Sequence, residues 1–446
     1  MQNRNKILIN NEIKGLKPHI RSAKSCFLLP NKSPFKLCSP SFCLFLLCFI
    51  PLFLSACTKL SEYTIHFETD GGSAVSPVKV TADTVLSETI TAPTKAPGDG
   101  TTYYFGGWYT VPATKGHTGK TKYDYTRPWP LMGDITLYAR WYTEQPADRA
   151  TLEALIASLE DTADLNHIDV RKITDMSELF ANSDFNEDIS GWDVSNVTNM
   201  SGMFIGAKHF NQAIGDWDVS NVTDMSRMFS RVTYVNDQSR GRFAFNQPIG
   251  SWDVSKVTNM EGMFRGAGEF NQAIGDWDVS NVTSMKQMFH NATRFNQPIG
   301  GWDVSNVTDM SELFSGVIDV GDRVYACHSS FNQPIEKWDV SKVKSMEGMF
   351  SCTREFNQAI GAWDVSNVTS MRKMFYNTKK FNRPIGDWDV SGVTNMNRMF
   401  SDAKNFNQPI GDWDVSNVDE MRDMFYMSFS YPTAFDQDIS GWAVQP

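Results

Sequence analysis

Residues 192–216 read WDVSNVTNMSGMFIGAKHFNQAIGD, and this unit recurs throughout the chain after residue 165. Its copies are 25 residues apart, except where three insertions lengthen the spacing to 35, 36 and 29 residues. A fixed period of this length is typical of repeat proteins, in which one unit buries its apolar face only against its neighbours. The ten copies are marked by Trp192, Trp217, Trp252, Trp277, Trp302, Trp338, Trp363, Trp388, Trp413 and Trp442.

The apolar spacing within one copy predicts a strand followed by a short helix. Ile189, Trp192 and Val194 have the spacing of a leucine-rich-repeat strand, which would point Asp193 and Ser195 away from the core. The next apolar residues lie on one stripe at helical spacing: Val197, Met200, Met203, Phe204 and Ala207. With residues 165–176 in the same frame, residues 165–446 are predicted to form an α/β solenoid of about eleven stacked parallel strands with short helices.

The repeated runs Trp-Asp-Val-Ser-Asn-Val-Thr-x-Met-x-x-Met-Phe and Phe-Asn-Gln-x-Ile resemble the BspA-type leucine-rich repeat family of bacterial surface proteins, once described only as mycoplasma proteins of unknown function. The resemblance implies display at the cell surface, adhesion to host matrix or to other bacteria, and no enzymatic activity. It gives no specific binding residues.

Residues 62–142 are predicted to form a small β domain, with strands at residues 63–68, 78–80, 103–109 and 135–141. The runs FETDGG (67–72), FGGWY (105–109) and DITLYARW (134–141) resemble the internalin B-type, or Listeria–Bacteroides, repeat. That resemblance implies a compact β-grasp-like domain that serves as a spacer or weak adhesion module. Trp108, Trp129 and Trp141 are interpreted as packing residues, with a ligand platform as the alternative. Residues 143–164 are a linker with an amphipathic helix, over 148–159, that caps the repeats.

The N-terminus has the pattern of an export signal. Residues 1–56 combine a long basic leader with an apolar run at 42–54, which is too short to span a bilayer as a helix. The ending Leu54-Ser55-Ala56-Cys57 resembles the bacterial lipobox, which implies cleavage before Cys57 and a lipid on its thiol. Residues 57–61 would be the lipidated tether. We expect a membrane-anchored protein of the cell envelope, exposed on the outer surface.

The net charge of the chain disfavours nucleic acid as a partner. Residues 1–56 carry a net +7, which leaves −17 on the rest of a chain whose total is −10. Such an acidic protein is not expected to bind nucleic acid. We found no histidine-based metal motif, phosphate loop or recognisable catalytic set, so neither a cofactor nor an enzymatic activity is expected.

A row of aspartates is the first candidate binding feature, because stacking places equivalent carboxylates ~4.8 Å apart. The row could be a hydrated, hydrogen-bonded ladder, a face for a basic or glycan ligand, or a calcium row. Its members are Asp169, Asp193, Asp218, Asp253, Asp278, Asp303, Asp339, Asp364, Asp389 and Asp414.

The two long insertions, residues 232–242 and 316–326, are the second candidate. They occupy the same slot three repeats apart, and insertions often mark the binding side of a repeat protein. They are equally compatible with tolerated surface loops. Their anchor-type side chains are Tyr234, Arg240, Arg242, Arg323 and Tyr325.

Cys327 and Cys352 hold the same slot in consecutive repeats, each four residues before a phenylalanine. Stacking would place their Cα atoms roughly 5 Å apart, so we predict a disulfide between them. The function predicted from all of these features is an adhesin or protein-interaction scaffold. Its partner would be a host matrix protein, a bacterial surface protein or a glycan. A carbohydrate-binding lipoprotein and a structural envelope spacer remain the alternatives.

Overall fold

A computed structural model describes residues 62–81, 84–98, 100–110, 133–159, 165–231, 243–320, 323–428 and 433–442, with the backbone alone for 317–320 and 323–327. Residues from Ser61 onward belong to one compact unit. The described part contains more strand than helix, and none of its helices is long and apolar enough to cross a membrane.

The small β domain is a four-stranded mixed sheet. Strands β1 (Tyr63–Glu68), β2 (Val78–Val80), β3 (Tyr104–Tyr109) and β4 (Ile135–Tyr142) lie in the order β2-β1-β4-β3. The central pair β1 and β4 is parallel, and the two outer pairings are antiparallel. These bounds agree with the four predicted strands to within one residue; β1, β2 and β4 alternate in side-chain character, whereas β3 is the run YFGGWY.

Trp108 and Trp141 have different roles in this sheet. Trp108 is buried in the core with Ile65 and Leu137. Trp141 is half-buried, and its Nε1 donates a hydrogen bond to the backbone oxygen of Thr69 at 2.9 Å. Trp129 lies outside the described residues.

Each repeat forms one coil of a stack, and successive coils are held in parallel register through their backbones. Nine isolated parallel bridges join ten equivalent residues, from Asp175 and Asn199 to Asn395 and Glu420. Around each bridge, every second amide donates to the next coil: the N–H groups of Met200, Gly202 and Phe204 bond to carbonyls 24 residues further along the chain. Each coil is therefore hydrogen-bonded to its neighbours as adjacent strands of a parallel sheet would be.

The alternate amides close turns within the same coil. The N–H groups of Met203 and Ile205 bond to the carbonyls three residues earlier. The turns closed by the N–H groups of Met203 and Ala207 each have a left-handed residue at their third position, Gly202 (φ +61°) and Gly206 (φ +72°) respectively. Other copies place non-glycine residues in the same conformation, such as Arg227 (φ +56°) and Asn291 (φ +56°).

This geometry corrects the predicted secondary structure. The stripe from Val197 to Ala207 is fully buried as predicted, but it is a run of turns and not a helix. The N–H and the hydroxyl of Thr198 both donate to the carbonyl of Thr174 in the preceding coil. The segment around Trp192 also turns, with its N–H bonded to the carbonyl of Ile189, so the eleven predicted strands are not present in the described repeats.

The core consists of aromatic columns that run along the stack. Within one coil, the rings of Phe204 and Phe210 lie 3.8 Å apart between centroids. From one coil to the next, Phe204 and Phe229 are 5.7 Å apart. The tryptophans form a separate column, in which Trp252 and Trp277 stack at 6.5 Å. Ring pairs at these distances add to the stabilisation from burial alone.

Helix α1 (Arg149–Ser158) lies at the N-terminal end of the stack. Asp148 caps it, since its carboxylate accepts from the N–H of Thr151 at 2.9 Å. Leu152 is buried in the core of the repeats, and Leu155 and Ile156 pack against that core.

The β domain is joined to the same end through backbone contacts. Glu144, just after β4, forms a parallel bridge with Ile168 of the first coil. The N–H of Asp169 donates to the carbonyl of Glu144 at 2.7 Å, and Arg140 of β4 donates to the carbonyl of Gly191 at 3.2 Å. The small domain, expected to act as a spacer, is thus docked on the repeats.

The second insertion forms a hairpin where a loop was predicted. Strands β5 (Val317–Val320) and β6 (Arg323–Cys327) pair antiparallel. The first insertion, 232–242, lies outside the described residues. Both insertions begin at equivalent places, because the N–H groups of Arg231 and Gly316 make the same bond to the following coil, at 2.7 and 2.8 Å.

The substitution Gly262→Ala tests whether the turns depend on a residue with a positive φ. We expect Gly262→Ala to lower the free energy of unfolding by about 1–2 kcal/mol, because φ at this site is +58° although the added methyl meets nothing closer than 3.4 Å. The matched control Gly301→Ala has open space and no positive φ, so it is expected to be neutral or stabilising by up to about 1 kcal/mol. Urea denaturation gives both values, and equal changes in the two variants would contradict the turn geometry.

Candidate ligand-binding surface

The aspartate row faces solvent, but each carboxylate is used within its own coil. The N–H of Ser220 donates to Asp218 at 3.1 Å, and the N–H of Ser305 donates to Asp303 at 3.0 Å. In some copies the serine hydroxyl also donates, as from Ser391 to Asp389 at 2.6 Å. These are turns closed by an aspartate side chain. The same N–H contact is made at Asp193, Asp253, Asp278, Asp339, Asp364 and Asp414.

Hydrogen bonding also governs the charge of this row. The hydroxyl and N–H of Ser305 hold the pKa of Asp303 below its usual value, and Asp339 in the next coil opposes this only weakly. Asp389 has its pKa lowered by Ser391 in the same way, against a small opposing effect of Asp414. Hydrogen bonding therefore favours the ionised form of Asp303 and Asp389 in spite of the neighbouring carboxylates.

Asp169 is the exception in the row. It is fully buried, and Arg171 donates to it from Nε at 2.7 Å and from Nη2 at 2.6 Å. Burial opposes its ionisation, but the hydrogen bonds from Arg171 and Gln145 outweigh burial and lower its pKa. This carboxylate belongs to the joint with the β domain and not to the exposed row.

A row of asparagines, which the sequence analysis did not single out, runs along the stack. The N–H of Asn271 donates to Oδ1 of Asn246 at 2.9 Å, and the N–H of Asn296 donates to Oδ1 of Asn271 at 3.0 Å. The following glutamine adds a bond, from Nε2 of Gln297 to the carbonyl of Asn271 at 2.9 Å. The signal was available in the Phe-Asn-Gln run, whose asparagine recurs in every copy except the last, where Asp436 replaces it.

The other repeated polar groups are used in the same manner. The hydroxyl of Thr283 donates to the carbonyl of Thr258 at 3.1 Å. The indole N–H of Trp277 donates to the carbonyl of Ile249 at 3.1 Å, and the amide of Asn281 donates to the carbonyl of Ser255 at 2.7 Å. The residues that recur in every copy are thus committed to the stack, so differences between copies must supply any specificity.

A charged cluster in the fourth to sixth coils consists of such copy-specific residues. Nδ1 of His290 lies 3.2 Å from Oε2 of Glu312, and Gln287 donates to the same oxygen at 2.7 Å. Burial raises the pKa of Glu312, but these contacts and nearby Arg265 bring it down to about 2. Burial lowers the pKa of Arg265, which Glu312 partly offsets. The cluster lies along the chain between the starting points of the two long insertions, Arg231 and Gly316.

The predicted anchor residues of the insertions are only partly within the described structure. Tyr234, Arg240 and Arg242 lie outside the described residues. Arg323 and Tyr325 belong to strand β6, and their side chains are likewise outside the description. Their role in binding stays a prediction.

Cys352 is fully buried and disulfide-bonded. The side chain of Cys327, its predicted partner, lies outside the described residues, so the pairing itself stays a prediction. Cys57 also lies outside them. Among the described residues, no group of three or more histidine, cysteine, aspartate or glutamate side chains is placed to hold a metal ion.

Two family models match the chain. Residues 151–243, 235–321 and 353–446, together more than half of the chain, match the model described as Mycoplasma protein of unknown function, DUF285. Residues 63–140 match the Listeria-Bacteroides repeat domain. No curated protein and no solved structure matches the chain significantly. Both models describe repeats of bacterial surface-type proteins, which points to interaction or adhesion without naming a specific function.

Asp303 tests whether the aspartate row is structural. Asp303→Ala is expected to lower the free energy of unfolding by about 1 kcal/mol at pH 7, because the N–H of Ser305 loses its acceptor. Asp303→Asn should retain most of this stability, since its amide oxygen can accept the same bond. The aspartate pKa is lowered by folding, so its contribution is present above the unfolded value of about 4 and is lost as the pH falls through the folded value.

Urea denaturation at pH 7, 5 and 3 measures these differences. The gap between the native chain and Asp303→Ala should narrow only at the lowest pH. A loss in Asp303→Asn as large as that in Asp303→Ala would show that the charge, and not the turn, matters at this position.

Proposed function

This chain belongs to the DUF285 family, and we propose that it is a bacterial surface lipoprotein whose leucine-rich-repeat-like solenoid binds partners and catalyses no reaction. The observation that carries the proposal is that the recurring residues of the repeats have a structural role, whereas residues that differ between copies do not share it. The recurring polar groups bond from coil to coil or within their own turns, so they form a scaffold with few uncommitted groups. The residues that differ from one copy of the repeat to another are therefore the ones that we propose recognise a ligand.

The proposed binding surface includes the two long insertions and the cluster of Arg265, His290 and Glu312 between them. Because both insertions begin at equivalent positions of the stack, we expect them to emerge on the same side, which suits a partner too large for a pocket. The partner that we propose is a protein of the host matrix or of another bacterial surface. Aromatic and arginine side chains in the insertions are the residue types that dominate such interfaces.

We further propose that a lipid on Cys57 holds the protein at the outer surface of the cell envelope. The support is the sequence alone: an apolar run at 42–54 followed by Leu54-Ser55-Ala56-Cys57. A lipid anchor would leave the acidic repeats free to project away from an anionic membrane surface.

Replacement of the insertions tests the binding proposal. Ala-Gly-Glu occupies the corresponding place in the fourth coil, as residues 267–269, so the same three residues can replace 232–244 and 317–330 and restore the 25-residue spacing. Cys352→Ser accompanies the second replacement, which removes Cys327. We expect saturable binding to an array of matrix proteins, surface proteins and glycans to fall at least tenfold when both insertions are replaced.

The matched control carries Cys327→Ser and Cys352→Ser with both insertions intact, and it should bind like the native chain under reducing conditions. Unchanged binding by the folded double-replacement variant would move the site away from the insertions. Absence of binding by the native chain to every array component would favour a structural spacer.

The anchor has a separate test. Cys57→Ser should abolish incorporation of radiolabelled fatty acid and release the protein from the membrane fraction. Cys48→Ser, a change within the apolar run, should leave both unchanged. Labelling that persists in Cys57→Ser would contradict lipidation at this residue.

A further inference from the structure

A cleft of about 410 Å³ lies where the β domain meets the first coil of the repeats. Residues from both parts line it, including Trp141 of β4 and Arg171 of the first coil. Its volume is in the range of small-molecule sites. None of the recurring repeat residues discussed above contributes to it, and it is separate from the insertions.

Four partly exposed aromatic side chains, which together are called the aromatic wall, line the cleft: Tyr103, Tyr104, Phe105 and Trp141. The rings of Phe105 and Trp141 lie 5.5 Å apart. Gly72 makes room for this arrangement, since a Cβ at that position would lie 2.5 Å from the Trp141 ring. Because the indole N–H of Trp141 is already bonded to the carbonyl of Thr69, what this side chain offers to a ligand is its apolar ring.

Two polar side chains that line the cleft, those of Arg171 and Gln145, are held in place. Arg171 donates to the buried carboxylate of Asp169 and to the carbonyl of Phe105, the latter at 2.8 Å. Gln145 donates to the second oxygen of Asp169. One buried carboxylate therefore fixes both side chains before any ligand arrives, which lowers the entropy cost of binding.

Lys95 brings a second cation to the cleft. Its Nζ lies 4.8 Å from the ring centre of Tyr103 and 5.7 Å from that of Trp141. It donates to the carbonyl of Asp70 at 2.7 Å, while the carboxylate of Asp70 is 3.9 Å away and well exposed to solvent. Of the described residues that line the cleft, none is acidic. An otherwise acidic protein thus presents two cations here beside an aromatic wall.

We propose that this cleft binds a saccharide that bears a carboxylate. The apolar face of the sugar ring packs on the aromatic wall, and the carboxylate is bound by Lys95 and Arg171. The hydroxyl groups of the sugar meet Gln145 and Thr94, which also line the cleft. A proline-rich peptide is the other ligand that aromatic grooves commonly take, but the Trp141 N–H that would bond to its backbone is occupied. This site goes beyond the insertion-based binding proposed above and does not depend on it.

Calorimetric titration of the full chain tests the proposal with three probes. They are a disaccharide that contains glucuronate, the neutral disaccharide with glucose in its place, and triglutamate. We expect the acidic disaccharide to bind at least tenfold more tightly than the neutral one, and triglutamate not to bind. Equal binding of the two sugars, binding of triglutamate alone, or binding of none of the three would overturn the proposal.

Two variants assign the site. Lys95→Gln should weaken binding of the acidic disaccharide at least tenfold, whereas Lys79→Gln, a change at an exposed lysine of the same sheet, should have no effect. Tyr103→Leu should weaken binding at least fivefold and serves if Lys95→Gln does not fold. Native-like binding by both folded cleft variants would overturn the site. The chain with both insertions replaced should bind the sugar normally, which separates failure here from failure of the insertion site.

Discussion

The alternation of backbone hydrogen bonds between neighbouring coils is the constraint on which this structure depends. Every second amide of the 199–206 segment bonds outward to the next coil, and the amides between them close turns inside the coil. The first requirement keeps successive coils in register. The second bends the chain every four residues and demands left-handed positions such as Gly202 and Gly206. Equivalent residues consequently fall into columns along the stack. Each recurring side chain must therefore pack or hydrogen-bond favourably beside copies of itself.

The polar columns satisfy that condition in two ways. Asparagine has both a donor and an acceptor near its backbone, so Asn246, Asn271 and Asn296 bond directly from coil to coil. An aspartate carboxylate has no donor for a bond to the aspartate of the next coil, and such an approach would bring two negative charges together. It accepts instead from the N–H of the serine two residues later in its own coil. Both solutions use the recurring side chains for the fold. Sites such as the Arg265–His290–Glu312 cluster arise only where copies differ.

The sequence was sufficient to predict which residues are buried but not the backbone that buries them. Spacings of three and four residues are shared by a helix and by consecutive turns, so Val197, Met200 and Met203 were correctly assigned to the core and wrongly to a helix. The glycines at 202 and 206, unfavourable in a helix, were the available signal. The β strands were predictable because alternation and turn residues coincide there. Docking of the two domains was not, because it depends on residues outside the repeated pattern.

The joint between the domains illustrates how one substitution changes the use of a repeated position. Asp169 accepts from the N–H of the residue two positions later, as its counterparts in later coils do. That residue is arginine at 171 where the later coils have serine, and its guanidinium reaches both Asp169 and the carbonyl of Phe105 in the β domain. The equivalent carboxylates of later coils face solvent, whereas Asp169 is buried at the N-terminal edge of the stack, where the β domain covers the first coil. The Asp169–Arg171 ion pair thus orients a side chain that both bonds to the β domain and lines the cleft, so this contact between the domains and the geometry of the proposed sugar site have a common origin.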